Sequence, residues 1–178
     1  FFFQAEDGIR DQPRSRGLGM CIRDRCWPGR MQLLQRDGPI VLVDGAHNPY
    51  SMRLLVQSLK EYIQAKRVIV IFGSTGGHNT ADMVAELAAL SPIVIATQSR
   101  HPKAIAVKQV ANVVRDTGLE YIEECGGVSM ATNLALSTAH KNDLIVGTGS
   151  LAVVAEVIEE IEKREPELYP LFKGVIKA

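Results

Sequence analysis

The sequence predicts an α/β fold, with a Rossmann-like, mostly parallel sheet covered by helices on both faces. All-apolar segments of strand length recur along the chain, for example at Val68–Phe72 and at residues 93–96, and such segments are typical of strands buried on both faces. Amphipathic stretches of helix length lie between them. Because parallel strands need crossover connections, this alternation predicts parallel strands joined by right-handed crossovers.

The predicted elements follow one another from residue 31 onwards. A short apolar run at residues 31–35 and an Asp-Gly-Pro turn at residues 37–39 come first. Strands are then predicted at residues 40–43, 68–72, 93–96, 120–122 and 144–146, and helices from residues 49 and 80 and at residues 105–117, 128–140 and 151–163. Asn48 and Thr80 are expected to cap the first two helices, with Pro49 at the first helical position, and Gly118 is expected to end the third.

Length and composition bound the class of protein. The 178 residues suffice for one globular domain with a sizeable core, and 20 basic and 20 acidic side chains leave no net charge. A neutral chain lacks the usual footprint of a nucleic-acid binder, and no apolar run approaches the length of a membrane span. The cysteines Cys21, Cys26 and Cys125 fit neither a disulfide framework nor a paired zinc site. We therefore expect a cytoplasmic protein.

The first 25 residues differ from the rest of the chain. They have no initiator Met, no sustained hydrophobic period and a dense scatter of Arg, Asp and Gly, and they lack the order of regions found in a signal peptide. The string resembles a translated sequencing-adapter sequence; a linker or a divergent start of the domain are the alternatives. We predict a non-native leader at residues 1–25 and one domain at residues 26–178.

The segments that follow the predicted strands are the candidate ligand sites, because ligands of open α/β sheets bind at the carboxyl ends of the strands. The first reads DGAHNP and contains a carboxylate at a strand end (Asp44), an imidazole (His47) and a helix cap (Asn48). A helix N-terminus attracts anions, a protonated His adds to that attraction, and a carboxylate beside them suits sugar hydroxyls. A plain strand-to-helix turn explains the same residues equally well.

Several motifs together resemble a known family. WPGR at residues 27–30, followed by two short strands and DGAHNP, is similar to folylpolyglutamate synthase and dihydrofolate synthase of the Mur ligase superfamily. The similarity continues through the glycine-rich loop at residues 73–79 and GTGSL at residues 147–151. It implies the C-terminal domain of an ATP-dependent ligase, monomeric as a whole, that adds L-glutamate to dihydropteroate, to tetrahydrofolate (building polyglutamates) or to both.

The resemblance also implies roles for individual residues. Arg30 matches an Arg that reaches the nucleotide phosphates, and Asp44 matches an Asp that contacts the ATP. His47 matches a His near the reacting phosphate and the incoming glutamate, which makes it the candidate catalytic residue. Ser150 matches a serine that holds the glutamate, although a helix cap explains it almost as well, and Asn48 is expected to cap a helix. For Arg30 the alternative is a linker Arg in a surface ion pair.

Two loops depart from the family pattern. The glycine-rich loop ends in His-Asn at residues 78–79, where the family usually has Lys-Asp. A later loop carries Pro-Lys-Ala at residues 102–104, where Pro-Arg-Ala is common, and a Lys lacks the planar fork with which an Arg binds a carboxylate. We therefore assign no role to Lys103, and none to His78 or His101.

The implied reaction has three steps. ATP phosphorylates a substrate carboxylate, the glutamate amine attacks the acyl phosphate, and phosphate leaves. Arg30, His47 and Mg²⁺ are expected to stabilise the phosphates electrostatically. The chain has no G-x-x-x-x-G-K-[ST] phosphate loop; in the family this loop, the Mg²⁺ ligands and most of the folate pocket belong to the N-terminal part. The chain alone is therefore expected to be inactive and to supply no metal ligands.

Two other interpretations stay open. GTGSLA at residues 147–152 fits the dinucleotide-binding pattern G-x-G-x-x-A and indicates an oxidoreductase. Against this, it follows the last predicted strand instead of the first, and residues 165–170 cannot form the next strand because they contain two prolines. A non-catalytic α/β binding module is the second alternative.

Overall fold

One six-stranded sheet organises residues 28–166, the part of the chain that the computed structural model describes. Its strands are β1 (Gln32–Gln35), β2 (Ile40–Val43), β3 (Val68–Phe72), β4 (Ile93–Thr97), β5 (Glu120–Cys125) and β6 (Leu144–Thr148). They lie in the order β1-β2-β6-β3-β4-β5. β1 is antiparallel to β2 and every other neighbouring pair is parallel, which confirms the predicted fold class. The predicted leader, Cys26 and Trp27 lie outside the described residues.

The described chain has five α-helices, of which four connect successive strands and the fifth follows β6. They are α1 (Pro49–Tyr62), α2 (Thr80–Leu87), α3 (Val107–Asp116), α4 (Val128–Thr138) and α5 (Leu151–Glu162), and a short 3-10 helix (Ala88–Leu90) follows α2. Asn48 caps α1 with Pro49 at its first position, and Gly118 follows α3 with a φ of 70°, as predicted.

One predicted helix cap and one predicted helix start were wrong. Asn79, not Thr80, is the cap of α2, because the Asn79 Oδ1 atom accepts the Asp82 N–H at 3.1 Å. Helix α3 begins at residue 107 instead of 105, since the Ile105 N–H donates across the sheet edge to the Ser74 carbonyl at 2.9 Å. The second contact joins residues far apart in sequence, so helical periodicity does not report it.

The other end points also depend on tertiary contacts. Strand β5 extends three residues beyond its predicted end, because Cys125 still pairs with Thr97 of β4. Helix α4 ends before the predicted residue 140, where the His140 N–H donates to Asp143 Oδ2 at 2.8 Å.

The core has one layer on each face of the sheet. Helices α1, α2 and α3 cover one face, where alternate strand residues such as Leu42, Val70 and Phe72 lie in one buried cluster with Met52 and Met83. Helices α4 and α5 cover the other face over the intervening strand residues. Each fully buried Leu, Ile or Phe stabilises the fold by about 1.5–3 kcal/mol relative to an exposed one.

This strand order brings the loops that follow β2, β6, β3 and β4 together at one edge of the sheet. That edge, called the carboxyl edge below, carries residues 44–48, 149–150, 73–79 and 98–106. Residues 28–166 contain no helix that is long and apolar enough to cross a bilayer.

Candidate functional site

Asp44 directly follows β2, and its carboxylate accepts two backbone hydrogen bonds. The Met31 N–H donates to Oδ2 and the Ala46 N–H donates to Oδ1, each at 2.9 Å. The backbone N–H of Asp44 itself donates to the Gly147 carbonyl at 3.0 Å. Burial raises the pKa of Asp44, and the two backbone bonds and the charge of Arg30 oppose that shift. The carboxylate therefore links β2, the preceding turn and the segment that leads to His47.

His47 presents an exposed imidazole at the start of α1. Its Nδ1 atom lies 2.8 Å from the carbonyl oxygen of Gly45. Because a carbonyl only accepts, Nδ1 carries the proton of this bond, and in the neutral ring Nε2 is the acceptor. The His47 N–H also donates to Ser51 Oγ at 3.2 Å, so both the ring and the backbone of His47 are held in place.

His78 lies next to His47, a contact that the sequence did not indicate. The two rings meet edge to face with their centroids 5.4 Å apart. Both side chains are exposed. The sequence showed only that each of the two residues follows a predicted strand, so that both lie at the carboxyl edge. Only the strand order β2-β6-β3 makes the two loops close neighbours.

Asn48 caps α1 through a reciprocal pair of hydrogen bonds. The Ser51 N–H donates to Asn48 Oδ1 at 2.9 Å, and the Asn48 N–H donates to Ser51 Oγ at 3.2 Å. This capping box satisfies donors at the helix start and orients the loop that carries His47. The predicted cap is confirmed.

Ser150 caps α5 and is buried. Its Oγ accepts the Val153 N–H at 3.2 Å, and 3% of the residue is exposed. The preceding Gly149 donates its N–H to the Ala46 carbonyl at 3.1 Å, which brings Ser150 to the same edge as Asp44 and His47. The capping interpretation is confirmed, while the glutamate contact stays a prediction.

Arg30 is exposed and lies in a tight turn before β1. Its neighbours Gly29 and Met31 both have positive φ angles, of 77° and 42°. Burial raises the pKa of Asp44 and the charge of Arg30 opposes that rise, so the two side chains belong to one electrostatic environment. The structure thus brings Arg30, Asp44, His47 and Ser150, all selected from the sequence, to the carboxyl edge.

Lys103 and His101 belong to the neighbouring loop between β4 and α3. The Gly76 N–H donates to the Lys103 carbonyl at 2.8 Å, and the Lys103 N–H donates to His101 Nδ1 at 3.1 Å. Arg100 ties the same loop to α5 through its bonds to Glu156 and Glu159. These contacts fix the loop and assign no ligand role to either residue.

The chain belongs to a known family, as comparison with other proteins shows. The family described as "Mur ligase, glutamate ligase domain" matches residues 29–151. This chain is a member of that family. The match includes Arg30, Asp44, His47 and Ser150.

Two curated relatives of this Mur ligase domain carry the names of folate enzymes. The chain is 30% identical over 149 residues to a probable bifunctional folylpolyglutamate synthase/dihydropteroate synthase of Halobacterium salinarum, covering 84% of the chain and 17% of the relative. It is 26% identical over 163 residues to the dihydrofolate synthase/folylpolyglutamate synthase of Escherichia coli, covering 90% and 34%. The chain thus spans about a third or less of the lengths of these relatives.

Two solved structures, of FolC and of a folylpolyglutamate synthase/dihydrofolate synthase, share the fold of this Mur ligase domain. Escherichia coli FolC in complex with ADP has a TM-score of 0.70 and 25% identity, over 78% of this chain and 32% of that one. A bifunctional folylpolyglutamate synthase/dihydrofolate synthase with Mn, AMPPNP and L-glutamate bound has a TM-score of 0.71 and 24% identity, over 85% and 36%.

Proposed function

We propose that this Mur ligase domain serves an ATP-dependent ligase that adds L-glutamate to dihydropteroate, to tetrahydrofolate or to both. The proposal rests on the hydrogen bonds that join several segments of the chain at the carboxyl edge. The segment Asp44 to His47 is bonded to the turn around Arg30 on one side and to Gly147 and Gly149 on the other. An exposed guanidinium and an exposed imidazole therefore lie on a fixed backbone, which suits an anionic ligand.

The residues contribute in different ways to the proposed reaction, in which the glutamate amine displaces phosphate from an acyl phosphate. Arg30 supplies a permanent positive charge for the phosphates. His47, with Nδ1 held by the Gly45 carbonyl, presents Nε2 as a donor when the ring is charged and as an acceptor when it is neutral. We place the glutamate near His47 and the start of α5, where Ser150 is.

The divalent metal of the proposed reaction does not fit the described residues. Both oxygens of Asp44 already accept backbone N–H bonds, and residues 28–166 bring no three His, Cys, Asp or Glu side chains together as a ligand set. Mg²⁺ prefers several oxygen ligands in octahedral geometry. We therefore assign the Mg²⁺ ligands to the ATPase domain of the whole enzyme.

Packing explains the glycines that also fit a dinucleotide-binding pattern. A Cβ atom on Gly147 would lie 3.0 Å from Val157 Cγ2, and a Cβ on Gly149 would lie 2.5 Å from the Gly73 carbonyl oxygen. The Gly149 N–H already donates to the Ala46 carbonyl, so it is not available to a pyrophosphate. These contacts favour the ligase over an oxidoreductase.

The proposal is tested in a reconstituted enzyme, in which residues 26–178 are joined to the N-terminal domains of a close relative. Glutamate addition to dihydropteroate and to tetrahydrofolate is measured with and without ATP. We expect Asp44→Ala and His47→Ala each to lower the rate at least about tenfold, since a tenfold loss corresponds to 1.36 kcal/mol of transition-state stabilisation. Lys163→Ala, at the far end of α5, is the control and should keep the wild-type rate.

The same assay decides between the interpretations. ATP-dependent glutamate addition excludes a non-catalytic module, whereas a fusion that is folded but inactive contradicts the proposal. Wild-type rates in both alanine variants would contradict the site assignment alone. We expect the 178-residue chain without the ATPase domain to be inactive in this assay.

A further inference from the structure

We propose that His78 is a positioning residue for the reaction, whose ring holds the imidazole of His47 in place. The loop that follows β3 thereby contributes to a site that is otherwise built on the segments after β2 and β6. For its activity measurements this inference rests on the proposed function, and a spectroscopic measurement below is independent of it.

The imidazole of His47 needs a restraint from outside its own loop. Its hydrogen bond to the Gly45 carbonyl, at 2.8 Å, joins residues only two positions apart in the sequence. The side chain itself is exposed, and exposed side chains change rotamer within picoseconds to nanoseconds. A ring that samples several orientations loses that freedom when it meets a ligand, which costs affinity or rate. A contact that selects one orientation beforehand reduces this cost.

The ring of His78 supplies such a contact from a different loop. The centroids of the two rings lie 5.4 Å apart and their planes meet at 65°. This is the edge-to-face arrangement that aromatic rings favour at centroid separations of about 4.5–7 Å, and it favours the packed orientation roughly two- to tenfold. The two residues follow β2 and β3, which are separated in the sheet by β6. The contact therefore joins two loops instead of lying within one.

The loop that carries His78 is itself held by hydrogen bonds, so its ring can act as a support. The His78 carbonyl accepts the Thr80 N–H at 3.0 Å, and the next residue, Asn79, caps α2. Earlier in the same loop, the Gly76 N–H donates to the Lys103 carbonyl at 2.8 Å. These bonds fix the backbone on both sides of His78, and they leave the ring as the part that meets His47.

Three substitutions of His78 in the reconstituted enzyme separate ring packing from hydrogen bonding. His78→Phe keeps a flat ring, His78→Gln keeps a polar side chain without a ring, and His78→Ala keeps neither. We expect the Gln and Ala variants to lower kcat/KM for glutamate about three- to tenfold, and the Phe variant to stay within about twofold of the wild type. His140→Ala, an exposed histidine before β6, is the control and should keep the wild-type value. Activity lost in His78→Phe, or wild-type values in all three variants, would overturn the inference.

A double-mutant cycle tests whether His78 acts through His47. The variants His47→Ala, His78→Ala and the double variant are compared by kcat/KM for glutamate. We expect the loss caused by His78→Ala to fall below about twofold in the His47→Ala background, since residues that act through one another are not additive. Equal factors in both backgrounds would show that His78 acts independently of His47, which contradicts the proposed role.

Nitrogen NMR of the 178-residue chain measures how the ring is held without any assay of activity. In alkaline buffer imidazoles are neutral, and their nitrogen shifts report which nitrogen carries the proton. We expect the Nδ1–H form for His47 in the wild type and in His78→Phe, since the Gly45 carbonyl accepts that proton. In His78→Ala we expect a mixture of both tautomers, because the ring then leaves this bond more often. The signals of His140 are the internal control and should not change.

The spectroscopic and the kinetic results can fail separately. Identical His47 signals in the wild-type chain and in His78→Ala overturn the inference, because the ring is then held without His78. An inactive wild-type fusion contradicts only the proposed function and leaves the NMR comparison valid.

Discussion

At the scale of single residues, the side chains of the candidate site divide into two groups. Asp44, Asn48 and Ser150 accept hydrogen bonds from the main chain. Arg30 and His47 are exposed at the same edge of the sheet. The first group shapes the loops, and the second group lies where a ligand from solvent or from another domain can reach it. Ser150 is buried and caps α5, and its proposed second role, a contact with glutamate, can be measured separately from the cap.

The cap that Ser150 provides predicts a loss of stability on substitution. Ser150→Ala should lower the free energy of unfolding by about 1 kcal/mol, because the Val153 N–H loses its acceptor. Urea unfolding measures this value, and Ser150→Thr, which keeps the hydroxyl, is the control. The KM for glutamate of the same variants in the reconstituted enzyme then tests the second role. An unchanged KM in Ser150→Ala would contradict the glutamate contact.

At the scale of elements, the site depends on how closely the loops after β2, β6 and β3 approach one another. Gly149, between β6 and α5, has a φ of 100°. A Cβ atom there would lie 2.5 Å from the Gly73 carbonyl oxygen and 2.7 Å from Cε2 of Phe72. Both of these atoms belong to β3 or to the residue that follows it. The carbonyl oxygen is part of the backbone, so it can move only slightly. The loops therefore meet at a distance that only glycine allows.

Two glycines with positive φ give a matched pair for testing this contact. Gly149→Ala should lower the free energy of unfolding by roughly 3 kcal/mol, because a strained φ and a steric clash both contribute. Gly118→Ala should lower it by about 1 kcal/mol, since Gly118 has a φ of 70° but no atom within 4 Å of a built Cβ. Denaturant unfolding measures both values. Equal losses would show that the Gly149 contact is not tight.

At the scale of the whole molecule, the carboxyl ends and the amino ends of the parallel strands differ in their roles. The carboxyl edge carries the candidate site. At the opposite edge, Asp143 is 1% exposed and accepts bonds from the His140 N–H at 2.8 Å and from Arg67 Nε at 3.1 Å. The hydrogen bond from Arg67 lowers the pKa of Asp143, and burial opposes the shift. This ion pair joins the starts of β3 and β6 and serves stability.

The lowered pKa of Asp143 predicts the direction of one part of the pH dependence. A carboxyl group with a lower pKa in the folded state stabilises the fold above its unfolded pKa of about 3.9, and this contribution disappears as the pH falls through the folded value. We expect Asp143→Asn to be less stable than the wild type at pH 7 and to approach it below about pH 4. Urea unfolding between pH 3 and pH 7 measures the difference, and a constant difference would contradict the assignment.

The sequence predicted most of the elements because burial is periodic within each one. The apolar strings that became β2 and β3 and the cap at Asn48 are local signals, and they were confirmed. The errors at Thr80 and Ile105 arose where a tertiary contact or a neighbouring residue took the backbone bond instead. The contact between His47 and His78 had no local signal at all.

By itself, the sequence determined the alternation of strands and helices, and it determined which polar residues follow each strand. The tertiary structure decided which of those residues meet. β6 lies between β2 and β3, so residues about a hundred positions apart, Ala46 and Gly149, share a hydrogen bond. The same applies to the bond between Met31 and Asp44. The period of hydrophobic residues indicates which face of an element is buried. The order of the strands depends instead on which long-range pairing packs best, and no local pattern of residues encodes that order.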